Sequence, residues 1–297
     1  MTANLKRAGY DYKTRRHSHD LLAQMLSTLE EAPHVLCLSE CSFYDTREYL
    51  SAPLFEAMDV LDSLWGTTED ADGRQFSTAQ YTPFLSKVAG SVNAPGLFVD
   101  RRYVRPVSWY PHDWRTVLSN SLVASVNGHD LLFKCVHWSG SKGPTGFDEQ
   151  AALDAQLAPY RAILAGDFNT TTSDPREHIP DDWGKLCDDQ GNPHKKWQKG
   201  YLGEDGVWRV YTKALDGFFA HGWKDAGAQA DDFTTTVYPA IDGGSGLRID
   251  RIVYSNTAPI TLVPGSYKVH AHERGARVSD HMMVEAHFDV APAGGAA

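Results

Sequence analysis

Only four cysteines occur in 297 residues, too few for a disulfide-framed fold. Cys37 and Cys135 lie inside apolar runs, where a free thiol behaves as a small hydrophobe. Cys37 and Cys41 form a C-x-x-x-C, but with no second pair they make a poor zinc site. Long hydrophobic runs are missing too, so no membrane anchor is expected. The opening residues lack the apolar core and small-residue cleavage site of a secretory leader. The chain therefore reads as cytoplasmic, with secretion left open if the native N-terminus is longer. Positive charge is scarce: 28 Lys and Arg against 38 Asp and Glu give a formal net charge of -10. That argues against a protein that coats nucleic acid through a broad positive field. It does not exclude an enzyme that meets phosphates at a few local points. There is no internal repeat and no P-loop spacing. The nearest approach to a G-x-S-x-G serine elbow, Gly243-Gly244-Ser245-Gly246-Leu247, lacks its final glycine.

What remains is an ordinary globular composition, 42% hydrophobic and 22% charged. Residues 17–31 place Leu21, Leu22, Met25, Leu26 and Leu29 at helical spacing, and 53–65 repeat the pattern with Leu54, Phe55, Met58, Leu61 and Trp65. Between these helices HVLCLSE is a continuous apolar run, the mark of a strand buried on both faces. The polar run after Trp65 reads as a loop. GLFVD, SLVASV and DLLFKCVHW read as strands, and Asn127-Gly128 between the last two predicts a tight type I′ hairpin. Residues 148–158 are helix-like, RAILAGDFN is a strand entering a turn, 209–223 is a predicted helix, and RIDRIVYS and MMVEAHFDV are final strands. Helices mixed with hairpins along the whole length suggest one α/β domain over residues 1–290, followed by a low-complexity tail at 291–297.

Chemistry-bearing residues gather at the ends of these strands. Gly166-Asp167-Phe168-Asn169 stands where an apolar strand stops; in extended chain, Asp167 and Asn169 face one way and Phe168 the other. A D-x-N alone is a common turn. Here it is joined by Glu40, His137, Asp250 and Ser279-Asp280-His281, each at the edge of an apolar strand. Carboxylates at buried edges are costly unless paired with a cation or a donor, and a bound divalent metal is the simplest common partner. The bland alternative for Asp250 is a surface pair with Arg248 or Arg251.

The order Asn4, Glu40, His137, Gly-Asp167-x-Asn169, Arg-x-Asp250-Arg-Ile, Ser-Asp280-His281 resembles the endonuclease/exonuclease/phosphatase superfamily, whose fold is deoxyribonuclease-like. The resemblance implies a four-layer α/β sandwich, two mixed and largely antiparallel β-sheets flanked by helices. It implies a metal-dependent phosphoesterase cutting phosphodiester bonds, a nuclease first, using Mg2+ or Mn2+. By matched position, Glu40 is the principal metal ligand with Asn4 and Asp280 beside it. Asp167, oriented by Asn169, activates the attacking water. His281, held by Asp250, donates to a phosphate oxygen, and His137 contacts the phosphate or the leaving group. The residue that supports His137 is left among Asn93, Asp100 and Asn120. Only three residues precede Asn4, whereas the family's matching Asn lies inside a full first strand. Either residues stand upstream or this is a short edge strand.

The substrate is less legible. HKKWQK at 194–199 interleaves lysines with Trp197, and RRYVR at 101–105 is a second basic-aromatic cluster; both suit DNA or RNA, although a solvated loop is the commoner meaning. Within the same fold the rival is a small-molecule or lipid phosphoesterase, the lipid case calling for an exposed apolar hairpin, of which the sequence offers no convincing example. Outside it stands a degenerate, non-catalytic binding member. A monomer is expected.

Overall fold

The computed structural model describes residues 1–5, 9–44, 52–69, 72, 75–77, 80–86, 93–111, 118–240, 243–271 and 279–293. Two six-stranded sheets dominate it. The first contains β1 (Thr2–Asn4), β2 (Val35–Ser42), β3 (Tyr81–Leu85) and β4 (Asn93–Asp100). The second contains β5 (Arg105–Pro111), β6 (Leu118–Val126), β7 (His129–His137), β8 (Ala162–Asp167), β9 (Trp223–Asp225) and β10 (Asp250–Ser255). The chain then returns to the first sheet with β11 (Lys268–His270) and β12 (Met283–Glu285). The first sheet runs β11-β12-β1-β2-β4-β3 and the second β9-β10-β8-β7-β6-β5. Only β1–β2 and β7–β8 pair in parallel among these strands.

The apolar runs are continuous because both faces of these strands are covered. Leu36 and Leu38 of β2 pack with α1 (Asp20–Leu26) and α2 (Ala52–Trp65) outside the first sheet, whereas Cys37 between them turns into the inter-sheet core. Leu131, Phe133 and Cys135 of β7 meet Cys37 in that core, while Leu132 and Val136 pack outward with α3 (Pro144–Ala155) and α4 (Lys213–Ala220). The result is helices, sheet, sheet, helices. The cysteines are free, and Cys37, Cys41 and Cys135 are buried among hydrophobes. Burial pushes the Cys41 thiol well up from its usual range.

Several boundaries differ from the sequence expectation. The first helix is shorter than 17–31, although Leu29 beyond it is still buried. After Trp65 the chain forms a small hairpin, Thr67–Glu69 with Gln75–Ser77, not a loop throughout. The segment 209–223 divides: Trp208–Val210 is a strand paired with Gly200–Leu202, α4 follows, and β9 begins at Trp223. MMVEAHFDV likewise divides into β12 and Phe288–Val290, which pairs with Ile260–Leu262. The expected hairpin at 127–128 is present, with φ of +50° at Asn127 and +82° at Gly128, as a type I′ turn requires. The first strand is short, yet it is no edge: β1 lies between β12 and β2, with Asn4 1% exposed. Of the expected tail, Ala291 and Ala293 donate backbone hydrogen bonds to Pro259 and Asn127, and 294–297 lie outside the described residues. No helix among the described residues is long and apolar enough to cross a membrane.

Candidate active site

Strand register assembles the centre of the site. β7 pairs with β8 so that His137 stands opposite Asp167, and β8 pairs with β10 so that Asp167 stands opposite Asp250. Paired residues on neighbouring strands share a face, so three ionisable side chains form one rung at the ends of three adjacent strands. The residue before Asp167 is constrained by the same pairing. Gly166 has φ +149°, and a Cβ there would lie 1.9 Å from the Val136 carbonyl oxygen, so no other residue fits.

The first sheet supplies the opposite wall. Asn4 closes β1 and its Nδ2 donates to Asp167 Oδ2 at 3.2 Å, bridging the two sheets. Ser39 of β2 makes a second bridge, its hydroxyl donating to the Val136 carbonyl at 3.3 Å and accepting from the Asp167 N–H at 3.4 Å. One residue on, Glu40 has φ +57° within the register shift between Leu38 and Cys41. A bulge of this kind re-aims a side chain. The Glu40 carboxylate keeps some solvent exposure, and its Oε1 lies 3.8 Å from His137 Nε2.

Asp167 and Asn169 do meet, but by a turn and not by strand alternation. Asn169 takes φ +52°, its N–H donates to Asp167 Oδ1 at 2.7 Å, and its Nδ2 donates to Asp167 Oδ2 at 3.0 Å and to the Trp138 carbonyl at 2.9 Å. Phe168 is fully buried edge-on to Trp138. Asp167, 1% exposed, thus receives three hydrogen bonds from Asn4 and Asn169. A carboxylate has about four lone-pair sites, so one direction remains for a further donor such as water.

Two imidazoles face this carboxylate. His137 Nε2 is 3.7 Å and His281 Nε2 4.0 Å from Asp167 Oδ2. His281 Nδ1 lies 2.8 Å from Asp250 Oδ2. Burial alone would lower the His281 pKa, but the Asp250 charge and hydrogen bond outweigh it and push it up to about 10. Burial pushes Asp250 up to about 6 against the pull of His281, with the negative charge of Asp167 adding to the rise. At neutral pH the ring holds the proton and Asp250 accepts it. The bland alternative for Asp250 fails: Arg248 and Arg251 are buried and bind Glu177 and Asp225 instead. His137 Nδ1 has no hydrogen-bond partner among the described residues. The three expected supporters are committed elsewhere, Asn93 to Ser42, Asp100 to Arg102, and Asn120 to Trp109 and backbone carbonyls.

The donor set suits a divalent cation. Asp167, Asp250 and His281 offer ligand atoms within 4.8 Å of one another. At neutral pH that trio is compromised as a direct metal cage, because the His281 ring, doubly protonated beside Asp250, has no lone pair to offer. The partly exposed Glu40 and the half-buried Asp280, whose charge also helps raise His281, could instead hold an oxygen-ligated ion that retains water. The sequence reading missed the groups that fix these side chains. Thr236 Oγ1 accepts from the N–H groups of both Ile249 and Asp250, each at 2.9 Å, and Ser279 Oγ donates to the Asn4 carbonyl and accepts from the His281 N–H. Ser279 stood inside a noticed motif. Thr236 and Ser39 had no signal of their own.

RRYVR lies at the far end of the first sheet, since the pairing of Val35 with Val99 and Ser42 with Asn93 puts the β4–β5 turn opposite the Glu40 end. Arg102 there binds Asp100, and Tyr103 stacks on His34. HKKWQK lies at the active-site end, beside the loop that follows His137.

The sequence matches the profile of the Endonuclease/Exonuclease/phosphatase family over residues 1–281. No curated protein matches it. Among solved structures it resembles a humanized D. rerio TDP2 carrying 14 mutations, with TM-score 0.58 and 15% identity over 97% of each chain. It also resembles an AP endonuclease from Archaeoglobus fulgidus, with TM-score 0.57 and 17% identity over 97% of this chain and 98% of that one. A third is the 3' phosphatase NExo from Neisseria bound to a product DNA hairpin, with TM-score 0.54 and 16% identity over 97% and 98%. At such identities the likeness speaks to the fold.

Proposed function

Because this chain belongs to the endonuclease/exonuclease/phosphatase family, we propose that it is a divalent-metal-dependent phosphoesterase that hydrolyses phosphodiester bonds by in-line attack of water. The observation that carries this reading is the convergence on Asp167 of two amide side chains and two imidazoles, three of them (Asn4, His137 and His281) from segments far apart in sequence. Asn4 and Asn169 hold the carboxylate so that its remaining lone pair orients a water and takes its proton as oxygen bonds to phosphorus. His281, kept protonated by Asp250, donates to a phosphate oxygen as negative charge builds. His137, on the same rung, faces the phosphate or the departing oxygen.

Glu40, with Asp280 and Asn4, would hold Mg2+, or Mn2+ in its place. The fit rests on charge and donor type: Glu40 and Asp167 lie near His137, Asp167 and Asp250 near His281, and the Asp280 charge also acts on His281. When bound, the ion supplies positive charge against the phosphate oxygens. One catalytic domain over 1–290 and a cytoplasmic monomer belong to the same reading.

Within the class we favour a nuclease. Two similar folds are an AP endonuclease and a 3' phosphatase bound to a product DNA hairpin. The deciding experiment compares plasmid DNA, an abasic duplex, RNA, sphingomyelin and inositol phosphates, each with Mg2+ and with chelator. Metal-dependent cleavage of a nucleic acid, abolished in Asp167→Asn, supports the reading; cleavage of none of the panel refutes it.

A further inference from the structure

Trp197 is 50% exposed, although a tryptophan is among the residues most rewarded by burial. The neighbouring core does not use it: that cluster is built from Trp183, Val210, Val237, Leu247 and Ile249. The backbone around it is nevertheless closely packed. Trp197 sits in a one-turn helix, Lys196–Lys199, whose carbonyls press on the loop that leaves the active site two residues after His137. A Cβ at Gly143 would lie 3.0 Å from the Trp197 carbonyl oxygen, and one at Gly140 would lie 3.0 Å from that of Gln198. Trp183 Nε1 fixes the same turn by donating to the Lys196 carbonyl at 3.0 Å.

The charges beside the ring are cationic in an otherwise acidic chain. Lys195 is exposed and makes no ion pair among the described residues, and Lys196 Nζ lies 5.2 Å from the Trp208 ring centre. Tyr201 adds a second partly exposed aromatic ring, edge-on to Tyr211 at 6.1 Å. An open indole, an ammonium with no ion pair among the described residues and a closely packed mount beside the catalytic rim fit a strand of phosphates and flat bases.

We infer that Trp197 is a stacking platform for a nucleobase flanking the scissile phosphate, with Lys195 meeting an adjacent phosphate, and that the substrate strand is single-stranded where it crosses this platform. The inference rests on the phosphodiesterase reading above and narrows its substrate class. A lipid surface is the less suitable occupant. The following hairpin exposes Leu202 and Val207, but its tip carries Glu204 and an Asp205 already paired with Arg209 at 2.6 Å, which leaves no surplus positive charge there to draw it onto an anionic membrane.

The test uses the full chain with Mg2+ and three substrates: a short single-stranded oligonucleotide, the same oligonucleotide with abasic sites flanking the scissile bond, and bis(p-nitrophenyl) phosphate. Trp197→Ala should lower kcat/KM on the oligonucleotide about tenfold, mainly through KM, the loss expected for one stacked base. Trp197→Phe should restore most of it, and the abasic substrate should react equally with parent and Trp197→Ala. Lys195→Ala should weaken binding to both oligonucleotides and flatten its salt dependence. Thermal melting of Trp197→Ala at the parental temperature excludes misfolding. If the parent cleaves the oligonucleotide and Trp197→Ala is unimpaired, the platform is wrong and the phosphodiesterase reading stands. If the parent cleaves neither oligonucleotide nor the small diester, the phosphodiesterase reading falls and takes the platform with it. Trp197-dependent binding to phosphatidylcholine vesicles, without an oligonucleotide effect, would overturn the assignment in favour of a membrane.

Discussion

His281 and Asp250 form a buried pair at 2.8 Å, with the opposite ring nitrogen 4.0 Å from Asp167. One carboxylate therefore fixes the ring and keeps its proton while another waits across the pocket. Replacing His281 with Ala should lower kcat by about 10²–10⁴-fold, the usual worth of a positioned acid. Asp250→Asn should cost nearly as much, and the double variant little more than the worse single one, because the two act as a unit. Steady-state rates on one diester check all three.

Asp167→Asn keeps the shape and removes the base. Turnover should fall by about 10³-fold or more, whereas the melting temperature without metal should fall only modestly: relief of repulsion among the carboxylates offsets part of the cost of turning an amide NH2 toward the donors of Asn4 and Asn169. Calorimetry and rates on the same preparation separate the two effects. A large drop in melting temperature would show that Asp167 is structural.

Glu40→Gln should weaken Mg2+ binding by about tenfold or more, measured by titration calorimetry, and raise the metal concentration needed for half-maximal rate. Parent protein should melt higher with Mg2+ than with chelator, and the variant should lose most of that difference.

The sequence made the layers and most of the proposed site readable, for two separate reasons. Continuous apolar runs reported strands covered on both sides, as Leu36, Cys37 and Leu38 are. Polar residues at the ends of such runs pointed to a shared rim, and Asn4, Glu40, His137, Asp167, Asn169, Asp250 and His281 do lie within a network of short separations. What stayed hidden depends on tertiary contact. Thr236 looks like any loop threonine until it accepts from two backbone N–H groups at the start of β10. The division of 209–223 was masked because Leu215 and Phe218 gave a helical spacing that flanking strand residues happened to extend. The position of β1 inside the sheet follows from pairing on both sides, which no local pattern reports.

The buried quartet of Arg248, Arg251, Asp225 and Glu177 predicts acid sensitivity. Burial alone would raise Asp225, but Arg248 and Arg251 overcome it and hold its carboxyl at about 2. A depressed folded pKa contributes stability that is present above the unfolded value near 4 and lost as pH falls toward 2. Urea unfolding across that window should lose on the order of 2 kcal/mol to this group. Asp225→Asn should be destabilised at pH 7 and lose less over the same interval.

Gly166→Ala should be disabling although glycine lacks any chemistry. The added methyl would meet the Val136 carbonyl at 1.9 Å in a conformation that side chains rarely adopt, a strain on the order of 3 kcal/mol or more. Soluble yield and urea midpoint should both fall well below those of the parent.

The rung of His137, Asp167 and Asp250 ties chemistry to strand alignment. Sliding β8 by one residue against its neighbours would turn Asp167 toward the helices and leave Gly166 in its place, because successive side chains alternate sides. A misaligned molecule would be silent, not altered in what it cuts. Specific activity per folded molecule would then serve as a gauge of correct refolding, finer than any measure of secondary-structure content.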